Sequence, residues 1–346
     1  MNRRLLLSVV AFVSVIAVAA LPLYVVVASL NEPLTMPNDE MTFVIEPGTS
    51  FTAISNALTR QGIISRPRGL RIYASLTGIA GSIQAGENRL RQGMTARDMM
   101  DAFLVGDVQL HSFTIIEGWN LREMLAAMAG STAIRITIST EDLMQFLSEI
   151  SSSYAHPEGL FLPETYHFPR GTRDTEVLRQ AYDLMQVTLN EEWTLRDPAV
   201  PFADPYEALI LASIVEKETA RADERARIAG VFVRRLKQRM RLQTDPTVIY
   251  GIGDRFDGNL TRSDLQTDTP YNTYTRGGLP PTPIAMPGRE AIKAVLHPEP
   301  GNDLYFVATG LGDGSHKFSE TIEQHEAAIR ELLARQRASR QATRGR

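Results

Sequence analysis

The octapeptide Ala212-Ser213-Ile214-Val215-Glu216-Lys217-Glu218-Thr219 lies in a run whose apolar residues recur at helical spacing from Tyr206 to Arg239, with a break around Ala220 to Asp223. Its two glutamates decide what that helix is for. At about 100° per residue, positions two apart point to nearly opposite sides of a helix, so Glu216 and Glu218 cannot share one site. Glu218 falls on the stripe of Leu211, Ile214 and Val215, whereas Glu216 shares its side with Ala212, Ser213 and Ala220. Desolvation on an apolar stripe disfavours the charged carboxyl and raises its pKa, as a general acid working near neutrality requires. A helix glutamate more often pairs with a cation and solubilises the surface, and Arg221 and Arg225 offer that alternative.

Working outward, Glu176 to Arg196 predicts another long helix. Between the lobes, Pro157-Glu158-Gly159-Leu160-Phe161-Leu162-Pro163-Glu164-Thr165-Tyr166 is too rich in proline and aromatics for a helix and reads as an ordered loop. From Leu242 to Pro287 the chain is dense in Gly, Pro, Asp, Asn, Thr and Tyr without periodicity, and loop regions that long are usually functional. There Leu242-Gln243-Thr244-Asp245-Pro246-Thr247 and Tyr271-Asn272-Thr273-Tyr274 present the amides, hydroxyls and aromatics with which proteins hold sugars, although most polar loops are only solvated. A helix at Arg289 to Leu296, a strand at Leu304 to Ala308 and a last helix from Glu320 to about Arg337 complete this half.

Toward the N-terminus the rhythm is strand, turn, helix. Thr42 to Ile45 predicts a strand, Phe51, Ile54 and Leu58 mark one helix, Arg68 to Leu76 a second, and Thr95 caps a third. A further strand-turn-helix phrase at Ser112 to Met128 and a helix at 140–150 lead to a join at Ser151 to Tyr154, where the lobe boundary is expected. The fold class is therefore α+β.

Residues 5–30 carry no charged side chain and, at about 1.5 Å per residue, can span the roughly 30 Å of a bilayer's hydrocarbon. Arg3 and Arg4 precede the run while Glu32, Asp39 and Glu40 follow it, so the bias of positive charge toward the cytoplasm puts the remainder of the chain outside. Val18-Ala19-Ala20 would suit a signal-peptide cleavage site, but the apolar run continues to Leu30. A hydrophobic content of 43% is that of a globular protein, and a net charge of -4 argues against a nucleic-acid binder. The absence of cysteine excludes disulfides, thiolate metal sites and cysteine nucleophiles. No Gly-x-Ser-x-Gly elbow, phosphate loop or His-Glu-x-x-His is present, and the six histidines lack ligand spacing; His316 reads as structural or substrate-adjacent.

In their order, Ala212 to Thr219, Arg234-Arg235-Leu236 with Met240, Leu242 to Tyr250, Tyr271 to Tyr274, Gly278-Leu279-Pro280-Pro281 with Pro283-Ile284, and Leu304 to Val307 with His316-Lys317-Phe318 resemble the endolytic murein transglycosylase, YceG-like family. Glu164 stands where that family more often has aspartate, and Thr282 where glycine is common. The resemblance implies a cytoplasmic tip (1–4), one transmembrane anchor (5–30), a linker (31–41), a LysM-like glycan-binding subdomain (42–105), a connecting region (106–150), a catalytic domain (151–337) and a basic tail (338–346). It implies an enzyme of the bacterial inner membrane facing the periplasm, which acts on peptidoglycan glycan strands beside peptidoglycan synthases and uses no cofactor or metal. Glu218 would be the acid/base, leaving 1,6-anhydro ends, with Gln243, Asp245, Thr247, Tyr271, Asn272, Tyr274, Glu158 and Tyr166 as candidate substrate-binding residues. A lysozyme-like hydrolase with two carboxylates and a non-enzymatic glycan-binding adaptor are the alternatives.

Overall fold

The computed structural model describes residues 20–21, 23–105, 108–139, 142–150, 154 and 156–344. The chain forms two compact units: a smaller one from Met1–Ser112, Thr132–Arg135 and His167–Thr172, and a larger one from Phe113–Ser131, Ile136–Tyr166 and Arg173–Arg346. Both mix helices with antiparallel strands.

In the smaller unit, helix α1 (23–30) leads to β1 (Glu40–Ile45), α2 (Phe51–Arg60), α3 (Pro67–Thr77), β2 (Gly86–Arg91), α4 (Ala96–Val105) and β3 (Val108–Thr114). β1 and β2 pair antiparallel along their whole length, from Glu40 opposite Arg91 to Ile45 opposite Gly86. Alternation along β1 buries Phe43 and Ile45, and Phe43 stacks on Phe103 of α4 at 6.1 Å. Local chemistry sets the helix starts. Ser50 caps α2 by accepting from Ala53 N–H at 3.3 Å, Pro67 opens α3, and Thr95 and Asp98 cap α4 reciprocally.

The predicted anchor lies mostly outside the described residues, but its C-terminal end does not. Leu30 is buried in the core of the smaller unit, with Val26 packed beside it. A Cβ on Gly69 of α3 would sit 2.2 Å from Ser29 Oγ, so only glycine lets α1 approach this closely. The predicted linker is also ordered: Leu34 is buried and its N–H donates to Met94 O at 2.9 Å, while Thr35 N–H donates to Ile63 O at 3.0 Å. Among the described residues no helix is long and apolar enough to cross a membrane.

The chain passes between the units five times, first at Ser112/Phe113 and last at Thr172/Arg173. Two of these crossings fall within strands, β3 and β4 (Thr165–Pro169). In the smaller unit Glu87 binds both His111, at 2.6 Å, and Arg170 of the returning segment, at 2.5 Å.

The larger unit adds α5 (Leu121–Ala129), α6 (Asp142–Ile150), α7 (Asp174–Thr194), α8 (Pro205–Glu218), α9 (Ala222–Lys237), α10 (Asp245–Ile252), α11 (Arg262–Gln266), α12 (Arg289–Leu296), the hairpin β5 (Tyr305–Ala308) and β6 (His316–Ser319), and α13 (Ile322–Arg344). Helix α8 is its axis. α7, α9, α10 and α12 all pack on it, and every residue from Ala208 to Val215 is buried. The apolar stripe expected to carry Glu218 is therefore not a stripe, because the helix is buried on all sides. Ser213 survives there by donating to Ile210 O at 2.7 Å and accepting Ile284 N–H at 2.9 Å, which fixes the Pro283-Ile284 loop against the helix.

The proline-rich loop is ordered by the same logic. Leu160, Phe161 and Leu162 are buried, and Gly159 adopts φ +79° with Pro283 so close that an added Cβ would meet it at 2.4 Å. Glu158, 2% exposed, accepts from Leu121 N–H at 2.9 Å and from Tyr250 hydroxyl at 3.0 Å. Burial pushes its carboxyl up to about 7, against the lowering pull of those bonds. The folded pKa exceeds the ordinary 4.5, so the stabilisation is complete below the unfolded value and lost as pH rises through about 7. The neutral acid can accept from Leu121 N–H and donate to the Tyr250 oxygen, an arrangement that glutamine repeats. Denaturant-unfolding stability should fall by about 3 kcal/mol as pH is raised from about 5 to about 8, and Glu158→Gln should remove that slope. Parallel pH profiles for the two proteins would rule Glu158 out as its source.

Candidate active site

Glu218 is the last residue of α8; Thr219 takes extended backbone (φ -148°, ψ 134°) and the chain turns into α9 from Arg221. Its position just beyond the fully buried stretch sends the side chain into a cavity of about 490 Å³, lined among others by Arg235, Gln243, Asp245, Tyr274 and Tyr305. Two glutamates two residues apart thus meet different surroundings. Glu216 accepts Gly288 N–H at 3.0 Å and lies 3.8 Å from Arg225.

Thr244 donates its hydroxyl to Glu218 Oε1. It occupies the N-cap of α10, where a threonine ordinarily accepts from the first turn, but here its side chain makes no cap bond and turns to the carboxyl instead. Behind it, Thr244 N–H donates to Thr273 Oγ1 at 3.1 Å, and Thr273 and Thr247 hydroxyls meet at 2.9 Å. This buried line of hydroxyls ties the two polar phrases of the Leu242–Pro287 region together. Burial raises the Glu218 pKa above the ordinary carboxylate range; the Thr244 hydrogen bond works against that shift and the neighbouring Asp245 adds to it. The carboxyl is thus biased toward its protonated form while a hydroxyl stands ready to stabilise the charged one.

Asp245 accepts the Tyr274 hydroxyl at 2.6 Å, and burial together with that carboxylate keeps the phenol protonated. Gln243 holds a left-handed backbone, φ +51°, with its N–H on Thr273 O at 3.2 Å. Arg235, 7% exposed, is held by carbonyls: Nε donates to Leu304 O at 2.6 Å and Nη1 to Leu242 O at 2.7 Å, with the guanidinium over the Tyr305 ring at 5.1 Å. His316 is fixed by Glu224, which takes both its Nδ1, at 2.7 Å, and its backbone N–H, at 3.0 Å. The positive charge of His316 when protonated, and that of Arg235, both act on Glu218.

Of the residues expected from sequence, the structure brings Gln243, Asp245 and Tyr274 to Glu218. The others lie elsewhere. Asn272 is fully buried, and its amide donates to the carbonyls of Asp264, Leu265 and Thr267 while its Oδ1 accepts Tyr274 N–H at 2.9 Å, so it positions Tyr274. Thr247 is buried and donates to Thr244 O at 2.8 Å. Tyr166 is buried and donates to Leu162 O at 2.6 Å, holding its own loop. Tyr271 and Glu158 line a different cleft. Sequence reasoning gave no role to Thr244 or Arg235. A signal for Arg235 existed, since Ile228, Val231, Phe232 and Arg235 follow at helical spacing and all are buried, which makes the arginine a cation on an apolar stripe.

The chain is similar to known proteins over most of its length. The YceG-like family model matches residues 43–331. The endolytic murein transglycosylase of Bacillus subtilis (strain 168) is 31% identical over 326 residues, covering 88% of this chain and 89% of that protein. The endolytic murein transglycosylase of Streptococcus pneumoniae serotype 2 (strain D39) is 25% identical over 327 residues, 84% of this chain but only 58% of that longer relative. A crystal structure of a yceG-like protein from Listeria monocytogenes superposes with a TM-score of 0.54 at 27% identity, covering 83% of this chain and 98% of that one. With the family pattern running through both units and every segment that builds the Glu218 cavity, this chain belongs to the YceG-like family.

Proposed function

We propose that this chain is an endolytic lytic transglycosylase of peptidoglycan with Glu218 as its acid/base. The observation that carries the reading is a carboxyl whose burial favours the protonated form, set in a sugar-sized cavity and gripped by the Thr244 hydroxyl. Relatives named endolytic murein transglycosylases support the substrate class. Protonated Glu218 donates to the oxygen that links N-acetylmuramic acid to the next sugar, and that bond to the anomeric carbon breaks. The substrate's N-acetyl oxygen covers the developing positive charge. Ionised Glu218, stabilised by Thr244, then takes the proton of the muramic C6 hydroxyl, whose oxygen closes on the anomeric carbon. The products are a 1,6-anhydromuramic end and a free sugar hydroxyl; no water enters and Glu218 ends protonated. Gln243, Asp245 and Tyr274 orient the sugar. Asp245 is also a second carboxylate on the same cavity, which favours lysozyme-like hydrolysis as the one competing reading.

The uncharged run of residues 5–30 supports a single inner-membrane crossing that ends before Leu30, since Leu30 belongs to the core of the smaller unit. Both units then face the periplasm. The β1-α2-α3-β2 arrangement supports a LysM-like, glycan-holding role for that unit. Cutting strands near the membrane surface makes the peptidoglycan synthases that extend them the expected partners, which in-cell cross-linking would capture.

Digestion of purified peptidoglycan in oxygen-18 water should leave the new muramic ends unlabelled and lighter, by the mass of one labelled water (about 20), than ends hydrolysed in the same medium, and Glu218→Gln should slow release on the order of 10³-fold while remaining folded. Labelled ends would establish hydrolysis. Because the Thr244 hydrogen bond lowers the Glu218 pKa, Thr244→Val should raise it and move the alkaline limb of the pH–rate profile to higher pH; a downward or absent shift would separate Thr244 from the reaction. The full chain should resist alkaline extraction from membranes, and recovery in the soluble fraction would remove the anchor. Adding peptidoglycan to Glu218→Gln should slow hydrogen exchange in α2 and α3, and unchanged exchange there would remove the glycan-holding role of the smaller unit.

A further inference from the structure

The larger unit contains a second and roomier cleft, about 810 Å³, that the reaction described above does not use. It is lined by Arg122 of α5 and Lys217 of α8, Pro246 and Tyr250 of α10, and Asp254 and Phe256 that follow α10. Buried Glu158, bonded to Tyr250, lies at its base. The cleft and the Glu218 cavity have no lining residue in common, yet they are immediate neighbours. Lys217 and Pro246 line the cleft, whereas the residues next to each in sequence, Glu218 and Asp245, line the cavity. Consecutive Cα atoms are about 3.8 Å apart, so only the end of α8 and the start of α10 separate the two spaces.

The two spaces differ in charge. The charged groups of the Glu218 cavity are already engaged, Asp245 by the Tyr274 hydroxyl, Glu218 by Thr244 and Arg235 by backbone carbonyls, which leaves aromatic, amide and hydroxyl groups for a neutral sugar. The cleft instead presents exposed charges of both signs. Arg122 and Asp254 pair with side chains 59% and 78% exposed, and an ion pair that exposed contributes little to stability and opens readily. Lys217 spends one of its three protons on Gly118 O, at 3.0 Å, and its side chain is otherwise exposed. Glycan rings of N-acetyl sugars offer these groups no charged partner. The part of peptidoglycan that does is the short peptide hanging from the muramic acid, which carries carboxylates and an amine.

We propose that this cleft binds the peptide of the substrate, its carboxylate on Arg122 and Lys217 and its amine on Asp254, while the sugar that bears it is cut at Glu218. The inference rests on the reading of the chain as a peptidoglycan-cleaving enzyme. The reach is sufficient: a peptide of four or five residues extends about 13–18 Å at 3.3–3.6 Å per residue, and the two spaces are one residue apart along both helices. Tyr250, Tyr271 and Phe256 supply apolar surface for the peptide's aliphatic side chains. The enzyme so built prefers strands that still carry peptides.

The test uses the full chain in detergent carrying Glu218→Gln, titrated with a disaccharide peptide from peptidoglycan and with the same disaccharide whose peptide has been removed and whose freed lactyl carboxyl is capped as a methyl amide. The peptide-bearing ligand should bind about tenfold more tightly, as expected for one or two charge contacts. Arg122→Ala with Lys217→Ala should abolish that preference with circular dichroism unchanged, and Asp254→Asn, which removes the partner of the peptide's amine, should weaken it. Equal affinity for the two ligands, as a further sugar subsite would give, overturns the proposal, and so does a tenfold preference that survives all three substitutions. Digestion of peptide-free strands by the unsubstituted chain separates the two claims. Cutting without any peptide preference keeps the activity and loses this site, whereas a peptide preference without cutting keeps the site and loses the activity.

Discussion

The burial of α8 on every side is the constraint from which the larger unit follows. A helix with eight consecutive buried residues cannot lie on a surface, so α7, α9, α10 and α12 must surround it, and the loops that join those helices must fit the space that remains. Ser213 shows how strict this is: a single hydroxyl in that stretch is tolerated because it both donates to its own helix and accepts the Ile284 N–H. The helix ends where the burial ends, and the residue at that end is Glu218.

The site inherits its chemistry from that position. Carboxyls in this unit are sorted by how far they sit inside and by what meets them there. Glu216 lies beside Arg225 and Gly288, Glu158 is locked to Tyr250 and Leu121, and Asp245 is tied to Tyr274. Glu158 shares the raised pKa and a hydroxyl donor but has both oxygens engaged, by Leu121 N–H and Tyr250, whereas Glu218 joins a raised pKa and the Thr244 hydroxyl to a place on the cavity of sugar size. In the proposed reaction Glu218 gives up a proton and later recovers it, which needs both a reason to be neutral and a means of being charged, and desolvation and Thr244 supply one each.

Much of this was legible in the sequence, although not always for the reason first apparent. The helix over Tyr206–Arg239 and its break near residue 220 follow from periodicity, and the opposed glutamates follow from the helical turn. The stripe that singled out Glu218 does not exist, because a helix buried all round has no stripe; the helix terminus was the better signal. In the Leu242–Pro287 region, polar residue types alone could not say which side chains face the cavity. A segment with little regular structure must satisfy its own backbone, and Asn272 and Thr247 are consumed in doing so. The division into units is hard to read from sequence because the chain passes between them five times, in strands and in turns alike.

Arg235 brings the order of assembly into view. Its guanidinium is buried and depends on carbonyls from two directions, one of them Leu304, 69 residues further along the chain. Until the β5–β6 hairpin arrives, that cation has lost water without gaining its partner, so the cavity wall it forms is unfavourable in any shorter folding intermediate. Helices α8 and α9 are near neighbours in sequence and can dock early, but the hairpin contact closes a long loop and comes late. A chain able to cut a structural polymer therefore completes its cavity only when nearly all of it has been made, and incomplete copies are built to be inert.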